Sequence, residues 1–206
     1  MGNTPLHLAC NHNQVEVARL LTEERCCDQN IRNLRGELAV HIACAKGSYE
    51  LVKLVSSCDV NVQNLNGSTP LHVTLICMKG SAEEKEVGIL DHRSRPLRYM
   101  APKHMNKEES MKIVRFLVCE KGCNMSIANI GGNIPIHIAC DKNDLELVKL
   151  LATWTDLNHH NKDGDTPLHM ACRNASDEIV RTLAEMNKCN QIYSEQSRPA
   201  GIAYCL

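Results

Sequence analysis

The chain has 206 residues, a net charge of -1 from 23 basic and 24 acidic side chains, and 3% aromatic residues. This balance carries no basic stripe of the kind nucleic acid requires, and no stretch approaches the roughly 18 apolar residues of a membrane span. A single Phe and a single Trp are poor material for a β-sandwich core, but Ala, Leu, Val and Cys suffice for closely packed helices. The N-terminus lacks the charged and apolar regions of a signal peptide, and Leu6 stands where N-myristoylation needs Ser or Thr.

The first phrase, GNTPLHLAC, opens at Gly2. Thr4 is the expected N-cap and Pro5 the first residue of a short inner helix with its φ already set. A polar break from Asn11 to Gln14 leads to an outer helix with apolar spacing of three and four through Val17, Leu20 and Leu21. The phrase returns as GELAVHIAC from Gly36, where Leu38 and Ala39 replace the capping Thr and the leading Pro. A lost cap weakens a helix start by about 1 kcal/mol. Leu51, Leu54 and Val55 mark the second outer helix. The third phrase, GSTPLHVTL from Gly67, puts Thr74 and Leu75 in place of Ala and Cys, so its packing must differ.

GNIPIHIAC follows from Gly132, GDTPLHMAC from Gly164 and a worn QSRPAGIAY from Gln196. With Pro5, Ala39, Pro70, Pro135, Pro167 and Pro199 as markers, the intervals are 34, 31, 65, 32 and 32 residues. Asn recurs nine residues before the marker (Asn30, Asn61, Asn158, Asn190) and six before it (Asn33, Asn64, Asn129, Asn161). Asn binds nearby backbone in turns, so each pair predicts a hairpin finger joining one repeat to the next.

The long interval admits two readings. An insertion separates the inner helix, Pro70 to about Met78, from an outer helix spanning about Glu109 to Val118. Alternatively, a degenerate repeat begins at Arg95-Pro96-Leu97, although Pro102 would interrupt its inner helix. The insertion is favoured. The segment holds His92, Arg93, Arg95, Arg98, Lys103, His104 and Lys107, either a solvated loop or a basic docking element. Protease nicking is expected there first, between residues 80 and 108.

The phased phrase, the outer-helix pairs and Asp59-Val60-Asn61-Val62-Gln63-Asn64 resemble the ankyrin-repeat family. The resemblance covers nearly everything except about 79–109. It implies an all-α solenoid of antiparallel helix pairs with short β-hairpin fingers. Fingers and inner helices would form a concave face. A single array over 1–206 would hold repeats at about 2–35, 36–66, 67–131 (with the irregular 79–109 inside), 132–163, 164–195 and a partial 196–206. Neither end shows a polar capping repeat, so a fragment of a longer protein is expected.

His7, His41, His72, His137 and His169 pair with Cys10, Cys44, Cys140 and Cys172 at helical spacing, except His72. Zinc takes four ligands in a tetrahedron, and one such pair per repeat does not close a site. The resemblance implies instead that each His bonds the finger backbone and ties repeats together. The cysteines read as small, buried, reduced thiols, as do Cys27, Cys58 and Cys123, which implies cytoplasm or nucleus. No phosphate loop and no nucleophile–base set stands apart from the repeat, so no catalysis, metal or cofactor is expected.

Binding of another protein through the concave face remains, by a monomer that neither binds nucleic acid nor inserts in a membrane. The candidate contacts are Leu34, Arg35, Glu37, Leu65, Asn66, Ser68, Ile76, Met78, Ile130, Asn133, Lys162, Asp163 and Asp165. Leu65, Ile76, Met78 and Ile130 would form an apolar centre within a polar rim. Trp154 and Tyr49 are expected to pack against neighbouring repeats. Two other readings stand beside this one. The array is a spacer between flanking domains, or, as the resemblance implies, a substrate of an asparaginyl hydroxylase at Asn61 and Asn158.

Overall fold

The computed structural model describes residues 2–23, 27–78 and 105–196, with side chains to 186. Among these residues there are ten α-helices and no strand. They are α1 (Pro5–Asn11), α2 (Val15–Glu23), α3 (Ala39–Lys46), α4 (Tyr49–Val55), α5 (Pro70–Cys77), α6 (Lys107–Arg115), α7 (Pro135–Asp141), α8 (Leu145–Ala152), α9 (Pro167–Arg173) and α10 (Asp177–Gln196). A π-helical turn, Phe116–Glu120, continues α6.

Each odd-numbered helix packs on the even-numbered helix that follows it. The odd helices also pack on one another in the order α1, α3, α5, α7, α9, which makes one inner column. The even helices form the outer layer through α2–α4, α4–α6 and α8–α10 contacts. Between α6 and α8, Arg115 bridges to Glu146 at 3.1 Å.

Small residues set the spacing of the inner column. Ala9, Ala43, Ala139 and Ala171 are buried, as are Cys10, Cys44 and Cys140. Burial pushes those three thiols up to about 12, so they pack as neutral groups. Cys172, expected to be buried with them, is exposed, because α9 ends the inner column among the described residues. In α5, Thr74 takes the place of the usual Ala. Its hydroxyl donates to the Pro70 carbonyl at 3.0 Å, so it is buried without an unpaired polar atom.

Helix starts follow the sequence. The Thr4, Thr69 and Thr166 hydroxyls accept from the amides of His7, His72 and His169. Leu38 and Ile134 offer no such acceptor, yet α3 and α7 begin at the equivalent position. Tertiary packing overrides the missing cap.

Tyr49 meets Phe116 edge to face at 5.7 Å, as expected of a packed aromatic. Trp154 does not pack as expected. It is 71% exposed, at the turn after α8. The fingers also depart from expectation. They are tight turns bracketed by side chains, with no paired strand among the described residues. The basic cluster through His104, the expected nicking region up to residue 104 and the worn phrase from residue 197 onward lie outside the described residues.

Candidate partner-binding surface

Each finger is built around the Asn six residues before the marker. Asn33 Oδ1 accepts from the amides of Arg35 at 2.8 Å and Glu37 at 3.1 Å. Asn64 does the same for Asn66 and Ser68, Asn129 for Gly131 and Asn133, and Asn161 for Asp163 and Asp165. One side chain thus does what a strand ladder would do, and does it within five residues.

Glycine then closes the turn and admits the next finger. Gly67 and Gly132 have φ of 68° and 76°. A Cβ on Gly67 would lie 2.8 Å from the Ile130 amide nitrogen, and one on Gly132 would lie 2.6 Å from that of Lys162. No side chain fits there. The close approach lets fingers bond directly: Leu65 N–H donates to Arg35 O, Ile130 N–H to Asn66 O and Lys162 N–H to Gly131 O, each at 3.0 Å.

The histidines latch these fingers to the inner helices. The Nδ1 of His72 accepts from the backbone amide of Thr69 at 3.3 Å, and that of His41 accepts from Leu38 at 3.1 Å. The proton therefore sits on Nε2, which donates forward. His7 reaches Glu37 O at 2.9 Å, His41 reaches Val62 O at 3.0 Å, His72 reaches Asn133 O at 3.0 Å and His137 reaches Asp165 O at 3.1 Å. Burial lowers His41 and His72 to about 4, partly opposed by these same carbonyl bonds. His137 is lowered for the same reason. Its Nδ1 has no hydrogen-bond partner. The rings are committed to backbone, and no three His, Cys, Asp or Glu among the described residues lie close enough to share a metal ion.

The latched fingers carry a row of consecutive tip residues: Leu34, Leu65, Ile130 and Lys162. Leu34 is 73% and Leu65 55% exposed, Ile130 is half-buried and Lys162 exposed. Arg35 and Asp163 are exposed beside them, and Asn66, Asn133 and Asp165 are half-buried. Asp165 pairs with Arg173.

Four expected contacts are buried instead. Glu37 lies under its finger, bonded to Arg35 Nε at 2.9 Å and Asn33 Nδ2 at 3.0 Å. Ser68 is buried beneath the next finger. Ile76 is only 8% and Met78 only 3% exposed. The turn after α7 covers them, and Lys142 Nζ donates to the carbonyls of Ile76 at 3.0 Å and Met78 at 2.8 Å. Of the expected apolar centre, Leu65 and Ile130 remain accessible; Ile31 and, on α1, Leu8 are also exposed, which sequence reasoning missed. Also missed was a side-chain ladder between repeats. Asn33 Nδ2 donates to Asn3 Oδ1 at 3.0 Å and Asn161 Nδ2 to Asn133 Oδ1 at 2.9 Å. At the equivalent junction Ser68 is too short, and both Ser68 Oγ and Asn129 Nδ2 are left unpaired.

Asn61 and Asn158 sit in turns closed by Asp59 and Asp156, whose carboxylates accept from their amides at 2.8 and 2.9 Å. The Asn61 Oδ1 accepts further from the Asn124 amide at 2.7 Å. Asn158 is exposed.

A family model described as ankyrin repeats (3 copies) matches residues 1–64 and 102–193. The chain belongs to the ankyrin-repeat family. Ankyrin repeats generally mediate protein–protein interaction and are generally non-enzymatic. The array is 28% identical over 162 residues to human transient receptor potential cation channel subfamily A member 1, covering 72% of this chain and 14% of that protein. It is 39% identical over 56 residues to NF-kappa-B inhibitor alpha of Gallus gallus (27% of this chain, 17% of that protein). Against the Sus scrofa protein of that name it is 45% identical over 47 residues (23% and 15%). The array thus spans under a fifth of the length of each of these relatives. Among its described residues no helix is long and apolar enough to cross a membrane.

Proposed function

We propose that this ankyrin array recognises a partner protein through the finger row Leu34, Leu65 and Ile130, with Arg35, Asn66, Asn133, Lys162, Asp163 and Asp165 as its polar rim. The observation that carries this reading is the exposure of two leucines on backbone that is bonded finger to finger. Exposed aliphatic side chains on a pre-organised frame lose little entropy on binding, and an apolar centre within a polar rim suits an interface. Two of the relatives are by name inhibitors of another protein, which supports a protein partner. The module acts as a monomer without cofactor. Its buried thiols suit the reducing environment of cytoplasm or nucleus.

The test is affinity capture with the chain and with Leu34→Glu/Leu65→Glu/Ile130→Glu, and with Trp154→Glu as a control on the outer side. The proposal expects a specific partner that is lost from the triple variant alone, with helicity retained by circular dichroism. Equal capture by all three forms would place recognition elsewhere. No specific capture by any of them would favour the spacer.

One observation favours a second reading. Asn158 is exposed in an Asp-closed turn and Asn61 is half-buried, so an asparaginyl hydroxylase can reach Asn158 more readily. Co-expression with such an enzyme, followed by peptide mass spectrometry, should add one oxygen atom at Asn158 before Asn61. An unmodified Asn158 would refute it.

A further inference from the structure

The end of α5 and the start of α6 both meet one turn of the next repeat. That turn, residues 141–144, joins α7 to α8. From it, Lys142 Nζ donates to Ile76 O at 3.0 Å and Met78 O at 2.8 Å. A cation bonded to the last carbonyls of α5 also meets the negative end of the helix dipole. Two residues on, Asp144 Oδ2 pairs with Lys107 Nζ at 2.8 Å. The other oxygen of Asp144 caps α8, accepting from Glu146 and Leu147 amides at 3.2 and 3.3 Å. Asp144 is almost wholly buried, so its pairing with Lys107 is not a freely solvated surface contact.

The returning side is prepared as well. Lys107 begins α6, capped by Asn106, whose Oδ1 accepts from Glu108 N at 3.0 Å. Met105, just before it, is buried with its side chain over Gly47 of the preceding repeat. Meanwhile α5 packs on both α6 and α7, and the finger of α5 bonds directly to that of α7 through Ile130 and Asn66.

We propose that Lys142 and Asp144 are a clamp by which the fourth repeat closes the third, holding the departing chain with one residue and the returning chain with the other. The helix pair α5–α6 is then one repeat interrupted at its connecting turn, and the direct α5–α7 stacking leaves no place in the column for an extra repeat between them. Ordinary connections between paired helices are short and hold the pair together themselves. Here the neighbouring repeat adds to the direct α5–α6 packing in holding the pair.

Hydrogen exchange on the whole chain, read by mass spectrometry, tests this. Lys142→Met should speed exchange at Cys77 and Met78 about tenfold, the loss expected for a charged hydrogen bond. Lys142→Arg, which keeps donors toward both carbonyls, should restore protection. Asp144→Asn keeps the capping oxygen but loses the charge, and should speed exchange over residues 107–111. Exchange in α1–α3 should be unchanged in every variant. Uniform acceleration in all repeats, or no change at either stem, would overturn the clamp. If Lys142→Met does not fold, Asp144→Asn decides by the same criterion. Replacing residues 80–103 with a short Gly-Asn linker should leave a cooperative melt. Loss of that melt would mean that the segment is part of the stack, and would overturn the proposal too.

Discussion

Acidification should loosen the array through its histidine latches. His41 and His72 are buried with Nε2–H donated to finger carbonyls and Nδ1 accepting from backbone amides. A second proton must go on Nδ1, where it would face another donor. Burial is the larger cause, and it holds both rings at about 4, against 6.5 for the free side chain. Because the folded value is the lower one, the unfolded chain binds more protons between the two. The latch contribution is thus complete above about pH 6.5 and falls as the pH drops toward 4. At pH 5 the unfolded ring is almost fully protonated and the folded ring about one-tenth protonated, a difference of roughly 2 kcal/mol per latch, or about 4 kcal/mol for the two. Urea unfolding followed by far-ultraviolet circular dichroism at pH 8, 6.5 and 5 measures it. The expected record is a flat limb above pH 7 and a steep loss below 6.5. His72→Gln should be less stable at pH 8 and should lose roughly half of the pH dependence. Stability that is unchanged from pH 7.5 to 5, or ring resonances of His41 and His72 titrating near 6.5, would refute the latch argument.

Other consequences are equally direct. Gly132→Ala places a Cβ 2.6 Å from the Lys162 nitrogen at a φ of 76°. It should lower the unfolding free energy by well over the roughly 1 kcal/mol of the conformational penalty alone, and a neutral effect in urea melts would contradict the finger geometry. Ser68→Asn lengthens the side chain that fails to meet Asn129 Nδ2. It should raise stability by about 1 kcal/mol in the same assay, and a loss would show that the junction is too tight for the ladder found at Asn3 and Asn133.

Much of the architecture was legible because each repeat repeats its own local physics. Thr-Pro helix starts, Gly turns and the six-before-marker Asn act over five residues or fewer, so their meaning survives without the fold. The Ala positions and Cys10, Cys44 and Cys140 were legible too, since only small residues let inner helices stack, whereas Cys172 is exposed and Cys27 and Cys58 are half-buried. What failed was exposure. Glu37, Ser68, Ile76 and Met78 occupy the positions where a repeat meets the outside, and from one repeat alone they face solvent. The neighbour decides otherwise: the next finger covers Ser68, and Lys142 with its turn covers the end of α5. Trp154 errs in the opposite sense, exposed where packing was expected.

The sequence by itself determined the period, the helix pairs and the class of the fold, all of which follow from contacts within about one repeat. Only the tertiary structure decided which tips remain open, where the inter-repeat ladder breaks at Ser68, and how the third repeat stays closed around its long interruption. Those outcomes depend on residues 28 to 66 positions apart in the chain. Their approach is set by how one repeat stacks on the next, and no pattern within a single repeat encodes it.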